Sequence, residues 1–138
     1  MTEPLLVSAC LMGIACRYDG RSKPLQLPKA QPLIGVCPEV MAGFGVPRPA
    51  IERDESGQVH IIQDGSNVTA QLSAACEQIV MRANELGIAR AILKERSPSC
   101  GSSQLVRRGQ IVPGQGILTE RLRMAGITVL SDEDLANE

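Results

Sequence analysis

The sequence has almost no aromatic residues. Its 138 residues include one Tyr, one Phe and no Trp. Proteins that hold single-stranded nucleic acid stack its bases on aromatic side chains. A formal net charge of -1 also gives no strongly basic face for phosphates. The composition therefore argues against a nucleic-acid partner.

Long apolar runs are absent too. No stretch is long enough to cross a membrane, and the first residues lack the basic region of a secretory signal peptide. We therefore expect a cytoplasmic protein with no membrane partner, in a compartment where thiols stay reduced. The chain has five cysteines. Because five is odd and the cytosol is reducing, a disulfide framework is not expected.

Histidine is scarce, and no two cysteines form a Cys-x-x-Cys pair. The single histidine, His60, lies in a polar stretch and is expected to be a surface or hydrogen-bonded residue. A zinc ribbon or a thioredoxin-like motif therefore finds no support. A site built from thiolates without histidine suits zinc or an iron–sulfur cluster. Inert buried thiols, a reactive thiol and a thiolate-rich metal site remain as hypotheses.

The chain alternates short apolar runs with helical patterns, which is typical of α/β proteins. The predicted strands cover residues 5–8, 33–36, 89–93 and 127–130, and the predicted helices cover residues 38–43, 68–86 and 116–125. A polar hairpin is predicted within residues 51–62, and residues 21–32 read as an irregular connection. We expect one domain, residues 1–138, with a mostly parallel, Rossmann-like sheet flanked by helices.

Three cysteines follow predicted strands. Cys10 comes after the first strand, Cys37 after the second, and Cys100 lies in the loop after the third. Sites of parallel sheets form at the carboxyl ends of the strands, so these thiols are expected to meet there. Cys76 falls inside the long helix and is expected to be a small buried hydrophobe. Spacing alone leaves a shared metal site and inert thiols both open.

Five segments, in order along nearly the whole chain, resemble the 2-thiouracil desulfurase family. They are residues 7–20 (VSACLMGIACRYDG), 36–40 (VCPEV), 47–49 (PRP) with Glu52, 67–69 (NVT) and 91–102 (AILKERSPSCGS). The chain departs from the family pattern at Asn67, where Asp is usual. It also departs at residues 107–111, where the basic pair Arg107-Arg108 replaces an aromatic-rich hairpin.

The resemblance implies an enzyme with a [4Fe–4S] cluster. By matching motifs, Cys10, Cys37 and Cys100 are its expected ligands, and the fourth iron is left for the substrate's sulfur. The implied reaction is non-redox: a thiouracil-type pyrimidine and water give the oxo compound and hydrogen sulfide. The expected partner is a small thiolated base or nucleoside, and a homodimer is compatible with the sequence.

The same motifs assign catalytic roles to Cys16, Glu39 and Ser97. Glu39 is suited to proton transfer, Ser97 to orienting the base, and Cys16 to assisting near the open iron. Arg48 and Lys94 are expected to contact substrate or stabilise charge on the cluster, or else to form salt bridges. The competing hypotheses are a non-catalytic iron–sulfur or metal-binding module, a thiol redox protein that uses Cys10 and Cys16, and a structural domain.

Overall fold

The computed structural model describes residues 3–22, 24, 27 and 31–136. Four short strands form one parallel sheet, in the spatial order β2-β1-β5-β8. They are β1 (Leu5–Ser8), β2 (Leu33–Val36), β5 (Arg90–Leu93) and β8 (Thr128–Ser131). The predicted α/β class, with a parallel sheet flanked by helices, is confirmed.

Two antiparallel hairpins and several helices complete the described part of the chain. The hairpins pair β3 (Ile51–Arg53) with β4 (Val59–Ile61) and β6 (Gln104–Arg107) with β7 (Gln110–Pro113). The helices are α1 (Pro38–Met41), α2 (Thr69–Glu85), α3 (Ile117–Met124), α4 (Asp132–Ala136) and a 3₁₀ helix at Ala9–Met12. Among the described residues, none of these helices has the length and apolarity that a bilayer crossing requires.

The two faces of the sheet are covered differently. Alternate residues of a strand point to opposite faces, so Leu6 packs with α2 and α3, whereas Leu5 and Val7 pack on the other side. That second face is covered by the 3₁₀ helix and Cys16. The longer helices therefore lie together on one face, and the chain after β1 closes the other.

The predicted elements match the structure with small shifts at their ends. The long helix begins at Thr69 instead of 68, because the side chain of Asn67 accepts a hydrogen bond from the Thr69 amide at 2.9 Å and shapes the preceding turn. Cys76 is buried in the core as expected. Half of the irregular connection predicted for residues 21–32 lies outside the described residues.

The loop between β5 and β6, residues 94–103, carries Cys100 and packs on the start of α3. Its carbonyl groups accept the amide hydrogens that a helix leaves unpaired in its first turn. The amide pairs are Gly116 N to Gly101 O (2.9 Å), Ile117 N to Pro98 O (3.3 Å) and Leu118 N to Ser99 O (2.8 Å). In addition, the side-chain hydroxyl of Thr119 donates to Cys100 O (2.8 Å). The amino end of α3 thus fixes the backbone around Cys100.

This contact requires glycine at position 116. A Cβ atom there would lie 2.3 Å from the carbonyl carbon of Ser99 and 2.6 Å from the amide nitrogen of Cys100. Both neighbours are backbone atoms, so no flexible side chain could yield. Because glycine has no side chain, the loop of residues 94–103, called here the cysteine loop, can pack directly on the start of α3.

Glu95 organises the same loop from within. Its carboxylate accepts hydrogen bonds from the amides of Ser102 (2.8 Å), Ser103 (3.1 Å) and Gln104 (3.1 Å), and from the Ser102 hydroxyl. Burial alone would raise the pKa of Glu95, but the hydrogen bonds from Ser102, Ser103, Gln104 and Ser131 outweigh that effect. The pKa falls from 4.5 to about 2.

We expect Gly116→Ala to destabilise the protein by about 1–3 kcal/mol, because the added methyl group must push the cysteine loop away. Urea unfolding measures the change, and the alkylation rate of Cys100, which is buried in the wild type, should rise. Gly35→Ala is the matched control. Its new methyl group would meet the flexible end of Met12, so its free energy of unfolding should stay within about 0.5 kcal/mol of wild type. Equal effects of the two substitutions would contradict this packing argument.

We expect Glu95→Gln to cost about 1–3 kcal/mol at neutral pH, because an amide cannot accept all of these hydrogen bonds. The folded pKa of Glu95 lies below its unfolded value. The carboxylate therefore stabilises the fold fully above about pH 4.5, and this stabilisation is lost as the pH falls toward 2. Urea unfolding from pH 7 to pH 3 should show the two proteins converging; a constant difference would refute the role of Glu95.

A thiol-lined candidate active site

The cysteines meet at the carboxyl edge of the parallel sheet. Cys10 lies in the 3₁₀ helix that follows β1, and Cys37 immediately precedes α1 after β2. Cys100 comes from the loop after β5. Strands β1 and β5 are neighbours from which the chain continues in opposite directions across the sheet, and such a switch point opens a crevice above the sheet.

That crevice is a cavity of about 730 Å³. Every residue that the sequence marked for chemistry borders it: Cys10, Cys16, Cys37, Glu39, Ser97 and Cys100. Its apolar wall is built from Val36, Ala50, Ile51, Ile62 and Val106. Tyr18, the only tyrosine of the chain, also borders the cavity.

Three of the thiols that border the cavity have a raised pKa. Burial raises the pKa of Cys10, and the neighbouring Cys37 adds to the effect. Burial, Cys37 and Cys10 together raise the pKa of Cys16 to about 12. Burial also raises the pKa of Cys100 far above its ordinary value. Cys37 contributes to each of these three shifts, so it lies near the other three thiols, and the four form a single site.

A buried arginine holds the polar side of this site. The guanidinium of Arg48 donates hydrogen bonds to Oε1 of Glu39 (3.1 Å), to the carbonyl of Cys16 (2.9 Å) and to the carbonyl of Gly45 (3.0 Å). Its Nη2 lies 4.0 Å from Sγ of Cys37. Only 8% of Arg48 is exposed. Arg48 therefore forms the salt bridge that was one of its two expected roles, and it also borders the cavity.

The second oxygen of the Glu39 carboxylate faces the cysteine loop. Oε2 accepts a hydrogen bond from the Ser99 hydroxyl at 3.0 Å. Ser97 Oγ lies 3.0 Å from Ser99 Oγ and accepts the amide hydrogens of Ser99 (3.2 Å) and Cys100 (3.1 Å). Ser97 thus has the turn role that its position before Pro98 suggests, and it also borders the cavity.

Two further predicted residues have structural partners. The ammonium group of Lys94 lies 3.9 Å from Oδ2 of Asp132, so its salt-bridge interpretation also holds. His60 Nε2 lies 2.9 Å from Oδ2 of Asp54, as expected of a hydrogen-bonded histidine outside the site.

Ser99 and Glu95 contribute to the site but were not predicted from the sequence. Ser99 lies beside Cys100 in the family-like segment of residues 91–102, and only this position in the sequence indicated a functional role. Its partner Glu39 is 60 positions away. No sequence pattern indicated the role of Glu95, because its hydrogen bonds to residues 102–104 depend on the folded shape of the loop.

No three His, Cys, Asp or Glu side chains among the described residues form a group that could hold a metal ion. A single zinc ion would need each sulfur at about 2.3 Å from one point. Thiolates that bind an iron–sulfur cluster bond different irons and stand further apart. Thiols spread around one cavity thus have a donor set that fits a cluster.

A solved structure shares this architecture over nearly the whole chain, and a curated sequence is similar over almost the same length. The solved structure of the [4Fe-4S]-dependent thiouracil desulfidase TudS aligns with a TM-score of 0.90 and 36% identity, over 99% of this chain and 95% of that one. YbbK of Bacillus subtilis (strain 168), described as uncharacterized, is 33% identical over 146 residues, which cover 95% of this chain and 97% of YbbK. The family model for 2-thiouracil desulfurase matches residues 5–134. The chain belongs to the 2-thiouracil desulfurase family.

Proposed function

We propose that this protein is a desulfurase that replaces the sulfur of a small thiolated pyrimidine with oxygen and releases hydrogen sulfide. The observation that carries the proposal is the single cavity bordered by four thiols, Glu39 and Ser97. The likeness to a [4Fe-4S]-dependent thiouracil desulfidase over nearly the whole chain supports it. We assign the entire chain to one catalytic domain, and the cytosol suits its reduced thiols.

The cysteines that would hold the cluster are Cys10, Cys37 and Cys100. Each comes from a different element at the sheet edge, so together they surround the cavity from three sides. The Ser8 hydroxyl beside Cys100 offers a hydrogen bond that favours the thiolate. Cys16 is the fourth thiol and is left without a ligand role in this assignment.

The reaction is a hydrolysis: a thiocarbonyl compound and water give a carbonyl compound and hydrogen sulfide, with no change in electron count. When bound, the cluster supplies an iron without a protein ligand, which acts as a Lewis acid toward a soft thiocarbonyl sulfur. The protein must then activate water and supply a proton to the departing sulfur.

Glu39 is the group for this proton transfer. Its carboxylate borders the cavity, and each oxygen accepts one hydrogen bond, from Arg48 and Ser99 respectively. A carboxylate oxygen has two lone pairs, so acceptor capacity remains for a water molecule. Arg48 fixes the orientation of the carboxylate, and Glu39 can take the proton of the attacking water and later return it.

Ser97 is the group for orienting the base. Its oxygen accepts two backbone amide hydrogens, which fix its position at the cavity edge. The apolar wall and Tyr18 offer a surface for a flat, uncharged ring. This combination favours a free base or a nucleoside as substrate.

A thiol redox function for Cys10 and Cys16 is less well supported. Redox-active cysteines need an accessible thiolate with a lowered pKa. Here both thiols are buried, and the pKa of Cys16 is raised to about 12. A non-catalytic cluster-binding module would use the same ligands. An assay of sulfide release by cluster-loaded protein distinguishes it from the enzyme.

We expect anaerobic reconstitution with iron and sulfide to give about four irons per chain. Cys10→Ser, Cys37→Ser and Cys100→Ser should each lose most of this iron, because each removes one thiolate ligand. Cys16→Ser should retain it, and so should Cys76→Ala, whose cysteine is buried in the core and does not border the cavity. Iron quantitation with a visible spectrum measures the uptake, and circular dichroism checks folding. Folded wild-type protein that takes up no iron would refute the cluster assignment.

We expect the loaded wild type to release sulfide from 2-thiouracil and Glu39→Gln to slow kcat by about 10²–10⁴, because the proton acceptor is lost. Iron content should be unchanged, since Glu39 is not a proposed ligand. A methylene-blue sulfide assay with parallel ultraviolet detection of uracil measures the rate. Cluster-loaded wild type that converts neither 2-thiouracil nor its nucleoside would favour the non-catalytic module.

A further inference from the structure

We propose that Ser99 is a positioning residue of this enzyme, whose hydroxyl joins Ser97 to Glu39 and holds both in their working orientation. The inference rests on the proposed function, since it concerns the two groups assigned to the base and to proton transfer. Neither the family motifs nor the spacing of the sequence assigns a role to this serine.

The contacts of Ser99 connect the two functional residues directly. Its Oγ lies 3.0 Å from Oε2 of Glu39 and 3.0 Å from Oγ of Ser97. Only 1% of Ser99 is exposed, so it borders the cavity without offering surface to a substrate. Ser99 therefore acts through its neighbours.

The direction of the hydrogen bonds follows from the acceptors already in use. A hydroxyl has one donor hydrogen and two acceptor lone pairs. Ser97 Oγ already accepts the amides of Ser99 and Cys100, and Ser99 Oγ donates to Glu39. The remaining bond must then run from the Ser97 hydroxyl to Ser99 Oγ. The chain of donors leads from Ser97 through Ser99 to the carboxylate.

This direction of the hydrogen bonds fixes the orientation of the Ser97 hydroxyl. Its hydrogen is directed to Ser99 until a substrate offers a better acceptor, so the hydroxyl rests in one defined orientation. At the other end, Ser99 and Arg48 each bind one oxygen of Glu39, and the plane of the carboxylate is fixed from both sides. Removing the Ser99 hydroxyl would release both groups at once.

The backbone of Ser99 is rigid enough for this role. Its carbonyl accepts the Leu118 amide at 2.8 Å, and its carbonyl group packs directly against Gly116. The hydroxyl is therefore carried by a segment fixed to the start of α3. Positioning by a group on such a fixed segment is more exact than positioning by a mobile loop.

The test compares Ser99→Ala with Ser102→Ala in cluster-loaded protein. Ser102 is the matched control, because it is a buried serine of the same loop that donates to a different carboxylate, Glu95. We expect Ser99→Ala to lower kcat for 2-thiouracil about 10–100-fold, to keep KM within about threefold and to leave iron per chain unchanged. Ser102→Ala should keep the wild-type kcat even if it is less stable to urea.

A double variant shows whether Ser99 acts through Glu39. If it does, Ser99→Ala should slow Glu39→Gln by a clearly smaller factor than it slows the wild type, because only its effect through Ser97 remains. A wild-type kcat for Ser99→Ala, independent multiplicative losses in the double variant, or loss of iron from Ser99→Ala would each overturn the inference.

Failure of the proposed function has a different signature. In that case the loaded wild type releases no sulfide, and urea unfolding of the iron-free proteins decides the role of Ser99. Non-additive effects of Ser99→Ala and Glu39→Gln on stability would support the hold of Ser99 on Glu39. Additive effects would overturn it.

Discussion

The guanidinium of Arg48 is the interaction on which the site depends. It joins the turn at Cys16, 32 positions away in the sequence, to the first turn of α1 at Glu39 and to the loop at Gly45. A planar group with several fixed donors suits this task. Desolvating such a charge is costly unless its hydrogen bonds are made, and removing one partner of a buried ion pair costs about 3–5 kcal/mol. The fold therefore requires these segments to stay together.

Around this group the site divides into two chemical layers. The thiols of Cys10, Cys37 and Cys100 form a soft layer at the ends of the strands, where they suit iron. Glu39, Ser97 and Ser99 form a hard layer of oxygen atoms, joined by hydrogen bonds. A thiocarbonyl substrate has the same two halves, since its sulfur is soft while water and the product oxygen are hard. The arrangement of the cavity thus matches the reaction we propose.

The strands and the convergence of the cysteines could be predicted from the sequence, because apolar runs mark parallel strands and their carboxyl ends share one edge. Cys10, Cys37 and Cys100 follow from that rule, whereas Glu39 and Ser97 needed the family motifs. Ser99 and Glu95 could not be predicted. Their roles depend on contacts made after the loop at residues 94–103 folds onto α3, and no period in the sequence encodes such contacts. The placement of α2 and α3 on one face likewise depends on tertiary packing.

The residues assigned to this chemistry lie at the carboxyl ends of the strands. The amino ends form the opposite edge of the sheet and have no assigned part in the reaction. The turns at Leu86-Gly87 and Ala125-Gly126, which lead into β5 and β8, lie at that opposite edge and are exposed. An insertion there would lie behind the sheet and would not obstruct the cavity. These turns are therefore suitable sites for inserting a second domain, a tag or a surface anchor without blocking the cavity.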